Sequence, residues 1–365
     1  MTTESMSHVA LLRSLVKGDA GVLARALSDP TTDVAGFLRF AHAHQLGAYA
    51  YWTLQRLGLA RALPPALLAA TKASSLAERT RCERLVRQLH DLGELFEAGG
   101  AKVMFIKGPL LAQRFYGSVE ARGFSDLDVL ISRPGDLDRV EALLLETGFE
   151  PEFRVLLSRR LSRYFSHHFE YRREGLPLDV HWVLQRHFTF EIDYRRIWQT
   201  ATHVTLEGRT YEATSDEYEL VLQLVGIVTD LQVGKLVLRS FVDVFQILWT
   251  VEGTIDWDEF FSWRARERIL RPSLYVLALT LEVLECSETL PGLAAALHAR
   301  RHLLPPTTLG RRAILESRPL AFRQKLLALR LYEAPLAALL AWWVLSLPFR
   351  IAVYGVWRRP IRRET

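Results

Sequence analysis

Asp126 and Asp128 alternate with apolar residues in the segment 126–131, which reads DLDVLI. Successive side chains of a β-strand point to opposite faces, so the two carboxylates would share one face with Leu130 while the odd-numbered apolar residues line the other. Like charges on neighbouring positions of one face repel each other. The chain therefore has to fold so that a positive group lies beside this strand.

The strand lies in a stretch where short apolar strands alternate with helices. Predicted strands cover 102–106, 125–132, 151–158, 167–174 and 176–184, and predicted helices cover 109–117 and 136–149. Period-two alternation favours the strands, and apolar residues three and four apart favour the helices. Residues 101–200 are therefore predicted to form a small mixed α/β unit.

Helical periodicity dominates on both sides of this unit. Predicted helices cover 9–18, 22–29, 34–58, 75–100, 216–231, 235–251, 256–269 and 271–286, with a hairpin at 203–214. The sequence thus predicts an α+β fold in three parts: an N-terminal helical region (1–100), the α/β core (101–200) and a C-terminal helical region (201–365).

Composition excludes several classes of protein. With 49% hydrophobic and 24% charged residues, the 365-residue chain is an ordinary globular protein. Cys82 and Cys286 are far apart and match no disulfide or zinc spacing. The net charge of +5 is mild and the basic residues do not interleave with aromatics, so nucleic acid is not expected as a partner. No secretory signal is visible, and a cytoplasmic location is expected.

The apolar run 334–349 precedes a basic end, RRPIRR. At about 16 residues it is shorter than the roughly 20 needed to cross a bilayer. A packed core helix is the favoured interpretation. Peripheral contact with a membrane surface through this segment is the alternative, because tryptophans and a basic tail suit the interface.

Carboxylates on adjacent strands can form a binding site for divalent cations. Asp126 and Asp128 would lie about 7 Å apart at the rise of a strand. Asp179, between Leu178 and Val180 on a later strand, would add a third carboxylate if the strands are neighbours. Hard oxygen ligands suit Mg²⁺ or Mn²⁺, and two such ions would stabilise a phosphoryl displacement.

Upstream of the aspartates, Lys107 and Gly108 lie between a predicted strand and a helix that begins near Pro109. Glycine lets the backbone approach a phosphate, and lysine adds a point charge. Arg122 lies four residues before Asp126, where it can contact a triphosphate or hold the carboxylates. A lone D-x-D or K-G is weak evidence; their order along one chain is the stronger signal.

This order, IKGPLLAQRFY, ARGFSDLDVLI and LDVHWVL, resembles the DNA polymerase β-type nucleotidyltransferase superfamily. More closely, it resembles the uncharacterised bacterial nucleotidyltransferase family with a lysine–glycine turn. The resemblance implies a polymerase β-type core flanked by helices. Asp126, Asp128 and Asp179 would be the catalytic, metal-binding residues. Lys107 and Gly108 stand where the wider superfamily has glycine and serine, so the phosphate contact has to come from Lys107 or backbone amides.

Other polar residues have competing interpretations. His167, His168 and His181 can in principle form a zinc site with an aspartate, but His181 is expected instead to orient Asp179 or touch substrate. His168 is expected to pack or lie at the surface, and a contact with substrate or with the metal ligands is the alternative. Trp182 is expected in the core.

The C-terminal helices carry a further basic group. Arg239 and Asp243, spaced i, i+4, favour an exposed ion pair. The resemblance suggests instead that Lys235 and Arg239 face a nucleotide.

The expected activity is metal-dependent transfer of a nucleoside monophosphate from an NTP, with ATP the first choice, to an acceptor hydroxyl. The resemblance suggests that the acceptor is a small molecule, sugar, peptide or protein of a natural-product or surface-polysaccharide pathway. The alternative is a nucleotide-binding or regulatory protein with little turnover on the same fold.

Overall fold

Within residues 3–152, 163, 166–185, 190–315, 329–333, 335, 337 and 344, which the computed structural model describes, seven strands form one mixed sheet. The strands are β1 (Val103–Ile106), β2 (Leu127–Ile131), β3 (Glu150–Pro151), β4 (His168–Arg173), β5 (Leu176–His181), β6 (Thr202–Leu206) and β7 (Arg209–Ala213). Their order across the sheet is β3-β4-β5-β2-β1-β7-β6. Strand β2 runs parallel to β5 and antiparallel to β1, and β1 runs parallel to β7.

Helices precede, interrupt and follow the strands. They are α1 (Thr3–Lys17), α2 (Ala20–Ser28), α3 (Val34–Ala43), α4 (Gly47–Arg56), α5 (Pro65–Ala98), α6 (Gly108–Leu111), α7 (Leu137–Glu146), α8 (Tyr194–Gln199), α9 (Asp216–Val233), α10 (Leu238–Val251), α11 (Trp257–Arg266), α12 (Leu270–Leu284), α13 (Pro291–Ala299) and α14 (Thr308–Leu315). The predicted α+β class, a mixed sheet flanked by helices, is confirmed.

The central strands separate two hydrophobic cores. The odd-numbered residues of β2 pack with the buried sides of α5 and α7, while Leu130 packs with α9, α10 and the N-terminal helices. Residues of alternating parity therefore face different cores, as a strand buried on both faces requires. Because Asp128 has the parity of Leu130, its carboxylate belongs to the side of the sheet covered by α9 and α10.

Two predicted elements differ in detail. The predicted helix 34–58 is divided into α3 and α4 at Gln45, whose φ of +60° no α-helix can contain. The predicted helix 109–117 begins at Gly108 as one α-helical turn and continues as a π-helix over Ala112–Tyr116. The wider π-turn is a rare geometry that is frequently found at functional sites.

The hairpin predicted at 203–214 forms β6 and β7, and it extends the same sheet beyond β1. Most of the predicted strand 151–158 lies outside the described residues, as do most of the apolar run 334–349 and the whole basic tail. None of the described helices is both long and apolar enough to cross a membrane.

Candidate active site

The parallel pairing of β2 with β5 brings two of the predicted carboxylates together. Asp128 stands directly opposite Asp179 in the register, and Leu130 stands opposite His181. Asp126 precedes β2 and is half-buried, whereas Asp128 is only 9% exposed. The structure therefore places the three aspartates together on one face of the central strands, the face covered by the C-terminal helices.

Lys107 supplies the positive charge that the alternating aspartates require. Its Nζ lies 3.6 Å from Oδ1 of Asp128, and the Asp128 charge raises the pKa of the Lys107 ammonium. Lys107 and Gly108 both have positive φ, +54° and +44°, so the chain turns sharply between β1 and α6. A positive φ at a lysine stores strain of about 1–3 kcal/mol, which persists only where the surrounding structure holds the backbone in place.

We expect Lys107→Gly to unfold at a higher temperature than Lys107→Ala. Both variants lose the ammonium, but only glycine adopts the native φ of +54° without strain. The difference should be about 1 kcal/mol, read from thermal or urea unfolding. Equal midpoints in the two variants would contradict backbone strain at this position.

Two histidines contact the carboxylates directly. His181 Nε2 lies 2.9 Å from Oδ1 of Asp128, and His168 Nε2 lies 3.3 Å from Oε1 of Glu170 and 3.8 Å from Oδ2 of Asp179. Burial lowers the pKa of His181 to about 4, so its ring is neutral at neutral pH and donates from Nε2 to Asp128. Both histidines therefore lie beside the aspartates, and His181 contacts Asp128 rather than Asp179.

The negative charge of the three aspartates is only partly balanced by positive groups. Burial opposes ionisation of Asp128, but the Lys107 ammonium and the His181 hydrogen bond outweigh it and hold the pKa of Asp128 well below its usual range. Burial and then the Asp128 charge raise the pKa of Asp126, and they raise that of Asp179 to about 7. Carboxylates held this way favour a cation, and Asp128, Asp179 and His181 each offer a ligand atom within 4.8 Å of the others. The donor set fits a divalent ion.

In the metal-free protein, the titration of Asp179 should lower the free energy of unfolding as pH rises from about 4 to about 7. In that window folded Asp179, with a pKa raised from 3.8 to about 7, keeps a proton that the unfolded chain has released. Asp179→Asn should lack this loss, so its melting temperature should rise relative to that of the wild type across the window and exceed it above pH 7. Thermal unfolding in a chelator tests this, with the exposed Glu150→Gln as control; an unchanged slope in Asp179→Asn would contradict it.

Arg122 is held by a carboxylate on α10. Its Nε and one terminal nitrogen donate to the two oxygens of Asp243 at 2.7 and 2.9 Å, and Tyr116 Oη donates to the same carboxylate at 2.6 Å. Arg122 is 7% exposed and Asp243 1%. The predicted exposed pair of Arg239 with Asp243 is therefore wrong: Asp243 is buried and pairs across the fold with Arg122.

Other residues on or near α9 and α10 approach the aspartates. Arg239 donates to the backbone carbonyl of Gly123 at 3.3 Å, and its Nε is buried without a hydrogen-bond partner among the described residues. Asp230 is half-buried, and burial raises its pKa to about 6, against the opposing charges of Lys107 and Arg239. Lys235 is exposed in the connection that follows α9.

Sequence reasoning assigned no role to Asp230 or Tyr116, and it paired Asp243 with Arg239 instead of Arg122. A polar residue in an apolar helical run, as Asp230 is in IVTDL, is the available signal for the first. Asp243, in FVDVF, carries the same signal, but its hydrogen bond with Tyr116 could not be read from the sequence, because 127 residues separate the two partners.

A family model described as "Uncharacterised nucleotidyltransferase" matches residues 30–285. The chain belongs to this nucleotidyltransferase family. The match covers the turn, the D-x-D strand, the Asp179 strand and the helices that carry Asp230, Arg239 and Asp243.

The comparisons with individual proteins are weaker. A search of curated proteins found no match. Among solved structures, this nucleotidyltransferase-family chain is similar to an antigenic nucleotidyltransferase-like protein from Paracoccidioides brasiliensis, at 16% identity and a TM-score of 0.32. That similarity covers 60% of this chain and 93% of the other.

Proposed function

We propose that this protein transfers a nucleoside monophosphate from an NTP to an acceptor hydroxyl and releases pyrophosphate. The observation that carries the proposal is the register pair of Asp128 and Asp179, with Asp126 beside it and Lys107 3.6 Å from Asp128, in a chain of the nucleotidyltransferase family. Polymerase β-type chemistry, as the sequence motifs suggest, uses such carboxylates.

Asp126, Asp128 and Asp179 would hold Mg²⁺ or Mn²⁺, which prefer oxygen ligands. When bound, the ion would neutralise charge that develops on the phosphates during in-line displacement. The acceptor oxygen forms the new bond to the α-phosphorus as the bond to the pyrophosphate oxygen breaks. Asp179 is the group proposed to take the proton of the acceptor hydroxyl.

Basic groups around the carboxylates would bind the phosphates. Lys107 is half-buried at the turn, so its ammonium lies beside Asp128 and is still accessible to a phosphate. The buried Nε of Arg239 is a donor that a phosphate oxygen can use. Arg122 acts indirectly, because its guanidinium binds Asp243 and fixes the segment between Gly117 and Asp126 against α10.

Lys235 lies in the exposed connection after α9, where a phosphate contact would require the side chain to reach inward. We therefore place it among the proposed nucleotide-binding residues on the family resemblance alone. The acceptor is proposed as a small molecule, sugar, peptide or protein, and ATP as the first donor to test.

A nucleotide-binding protein with little turnover is the second candidate. It is favoured by the turn of Lys107 and Gly108, which lacks the superfamily's serine, and by the Lys107 ammonium, which lies 3.6 Å from Oδ1 of Asp128. In this arrangement the lysine competes with a cation for the carboxylate.

Calorimetric titration with ATP, GTP, CTP and UTP in the presence of Mg²⁺ tests the proposal. Wild type should bind one nucleotide in a metal-dependent way, and Asp126→Asn/Asp128→Asn should not. Glu150→Gln, an exposed carboxylate on β3, should bind like wild type. Metal-dependent binding with no product on any acceptor would favour the second candidate. Folded wild type that binds no nucleotide, alone or with acceptors present, would contradict both.

A further inference from the structure

Three histidines meet at the ends of β4 and β5, next to the aspartates. His168 opens β4 and pairs in register with His181, which closes β5, while His167 immediately precedes β4. One ring nitrogen from each of the three lies within 4.8 Å of the other two. Their ring centroids are 4.3, 5.0 and 5.8 Å apart. The antiparallel pairing thus gathers three imidazoles without any help from a longer loop.

Two of the nitrogens are close to the spacing that a tetrahedral ion requires. Nε2 of His167 lies 3.1 Å from Nδ1 of His168. Bonds of about 2.0–2.1 Å to a tetrahedral zinc ion place neighbouring ligand nitrogens roughly 3.3–3.4 Å apart. A small movement of either ring would therefore allow both to bind one ion.

The second nitrogens of His168 and His181 both face carboxylates. Nε2 of His168 lies 3.3 Å from Glu170, and Nε2 of His181 lies 2.9 Å from Asp128. Histidines that bind zinc usually donate their other N–H to a carboxylate, which fixes the tautomer and leaves a lone pair for the metal. In each ring the carboxylate therefore leaves Nδ1 for an ion.

His181 also has an atom that lacks a partner. Its side chain is buried, with the residue 5% exposed, and Nδ1 makes no hydrogen bond within the described part of the chain. A buried ring nitrogen without a partner is costly, and a metal–ligand bond would satisfy it.

We infer that His167, His168 and His181 form a binding site for Zn²⁺ or a similar transition-metal ion, with Glu170 and Asp128 as the carboxylates behind two of the ligands. Imidazole nitrogens suit zinc and its neighbours in the first transition row, whereas Mg²⁺ prefers oxygen. A fourth position stays open to water or substrate. Because His181 contacts Asp128, an ion here would also fix the orientation of the central carboxylate of the proposed active site.

Titration of the full-length, tag-free and chelator-treated protein with Zn²⁺ in excess Mg²⁺ tests the inference. Affinity is measured by competition with a chromophoric chelator, and Co²⁺ is the spectroscopic probe of a tetrahedral site. We expect one tight Zn²⁺ equivalent, weakened at least about 10-fold by His167→Ala or His168→Ala, since each removes a ligand, and about 10-fold by Glu170→Gln. The exposed His203→Ala on β6 should match wild type.

Substitution of His167 distinguishes the histidine site from a second possible metal site. That second site consists of Asp128, Asp179 and His181 and does not include His167. Tight binding that survives His167→Ala and is lost in Asp179→Asn would place the ion on the aspartates and overturn the inference. So would folded wild type that binds no Zn²⁺, which would leave a hydrogen-bonded histidine cluster. No nucleotide is present, so either result is independent of the proposed transfer reaction.

Discussion

Asp128→Asn should lower the rate of nucleotidyl transfer by at least about 10³-fold. The carboxylate is central to the site: it stands opposite Asp179, accepts a hydrogen bond from His181 and lies 3.6 Å from Lys107. Charge stabilisation by a bound divalent ion contributes several kcal/mol to such a displacement, and each 1.4 kcal/mol is about tenfold in rate. The measurement is pyrophosphate release and transfer of label from an α-phosphate-labelled nucleotide.

The control for this prediction is Glu150→Gln, which also neutralises one carboxylate on the same sheet, at an exposed position. Asp128→Asn keeps the shape of the side chain, so unfolding curves should show that the variant is folded. A folded Asp128→Asn protein with the wild-type rate would exclude the proposed role of this aspartate.

Asp243→Asn should be among the most destabilising single substitutions in this chain. It removes the negative charge that Arg122 contacts with two hydrogen bonds and that Tyr116 contacts with one. Breaking a buried ion pair at one partner costs about 3–5 kcal/mol, because the other charge stays buried and unpaired. Burial alone would lower the pKa of Arg122, but Asp243 raises it, so the guanidinium stays charged.

Urea and thermal unfolding measure this effect. Glu83→Gln, which breaks the exposed i, i+4 pair of Arg79 with Glu83, is the matched control and should shift the midpoint far less. Arg122→Leu/Asp243→Leu removes both charges and should be less destabilised than Asp243→Asn. If Asp243→Asn and Glu83→Gln have the same unfolding midpoint, the buried pair contributes little to stability. Loss of nucleotide affinity in a folded Asp243→Asn protein would show that the pair also positions the segment before Asp126.

Local pattern predicted most of the elements. The strands β1, β2, β4 and β5, the hairpin of β6 with β7, and the helices α9 to α12 lie where periodicity placed them, because each buries an apolar face that alternates or repeats along the chain. The face assignment of β2 was also correct, since Leu130 and the odd-numbered residues lie in different cores.

Long-range pairings were not predictable in the same way. Spacing favoured Arg239 as the partner of Asp243, yet Asp243 pairs with Arg122, 121 residues earlier. An i, i+4 rule describes neighbours on one exposed helix face, and here that face is buried against the segment after the π-helix. The break between α3 and α4 at Gln45 also escaped prediction, because the apolar pattern continues through it.

By itself, the sequence determined the α+β class and a D-x-D strand whose two carboxylates need a cation, since strand geometry and like-charge repulsion follow from local order alone. Only the tertiary structure decided which residues lie around these carboxylates. The parallel register of β2 with β5 brings Asp179 opposite Asp128, the positive φ of Lys107 brings its ammonium to the same carboxylate, and the pairing of β4 with β5 gathers the histidines. These contacts join residues far apart in the chain, and their positions depend on how the strands and the two cores pack together.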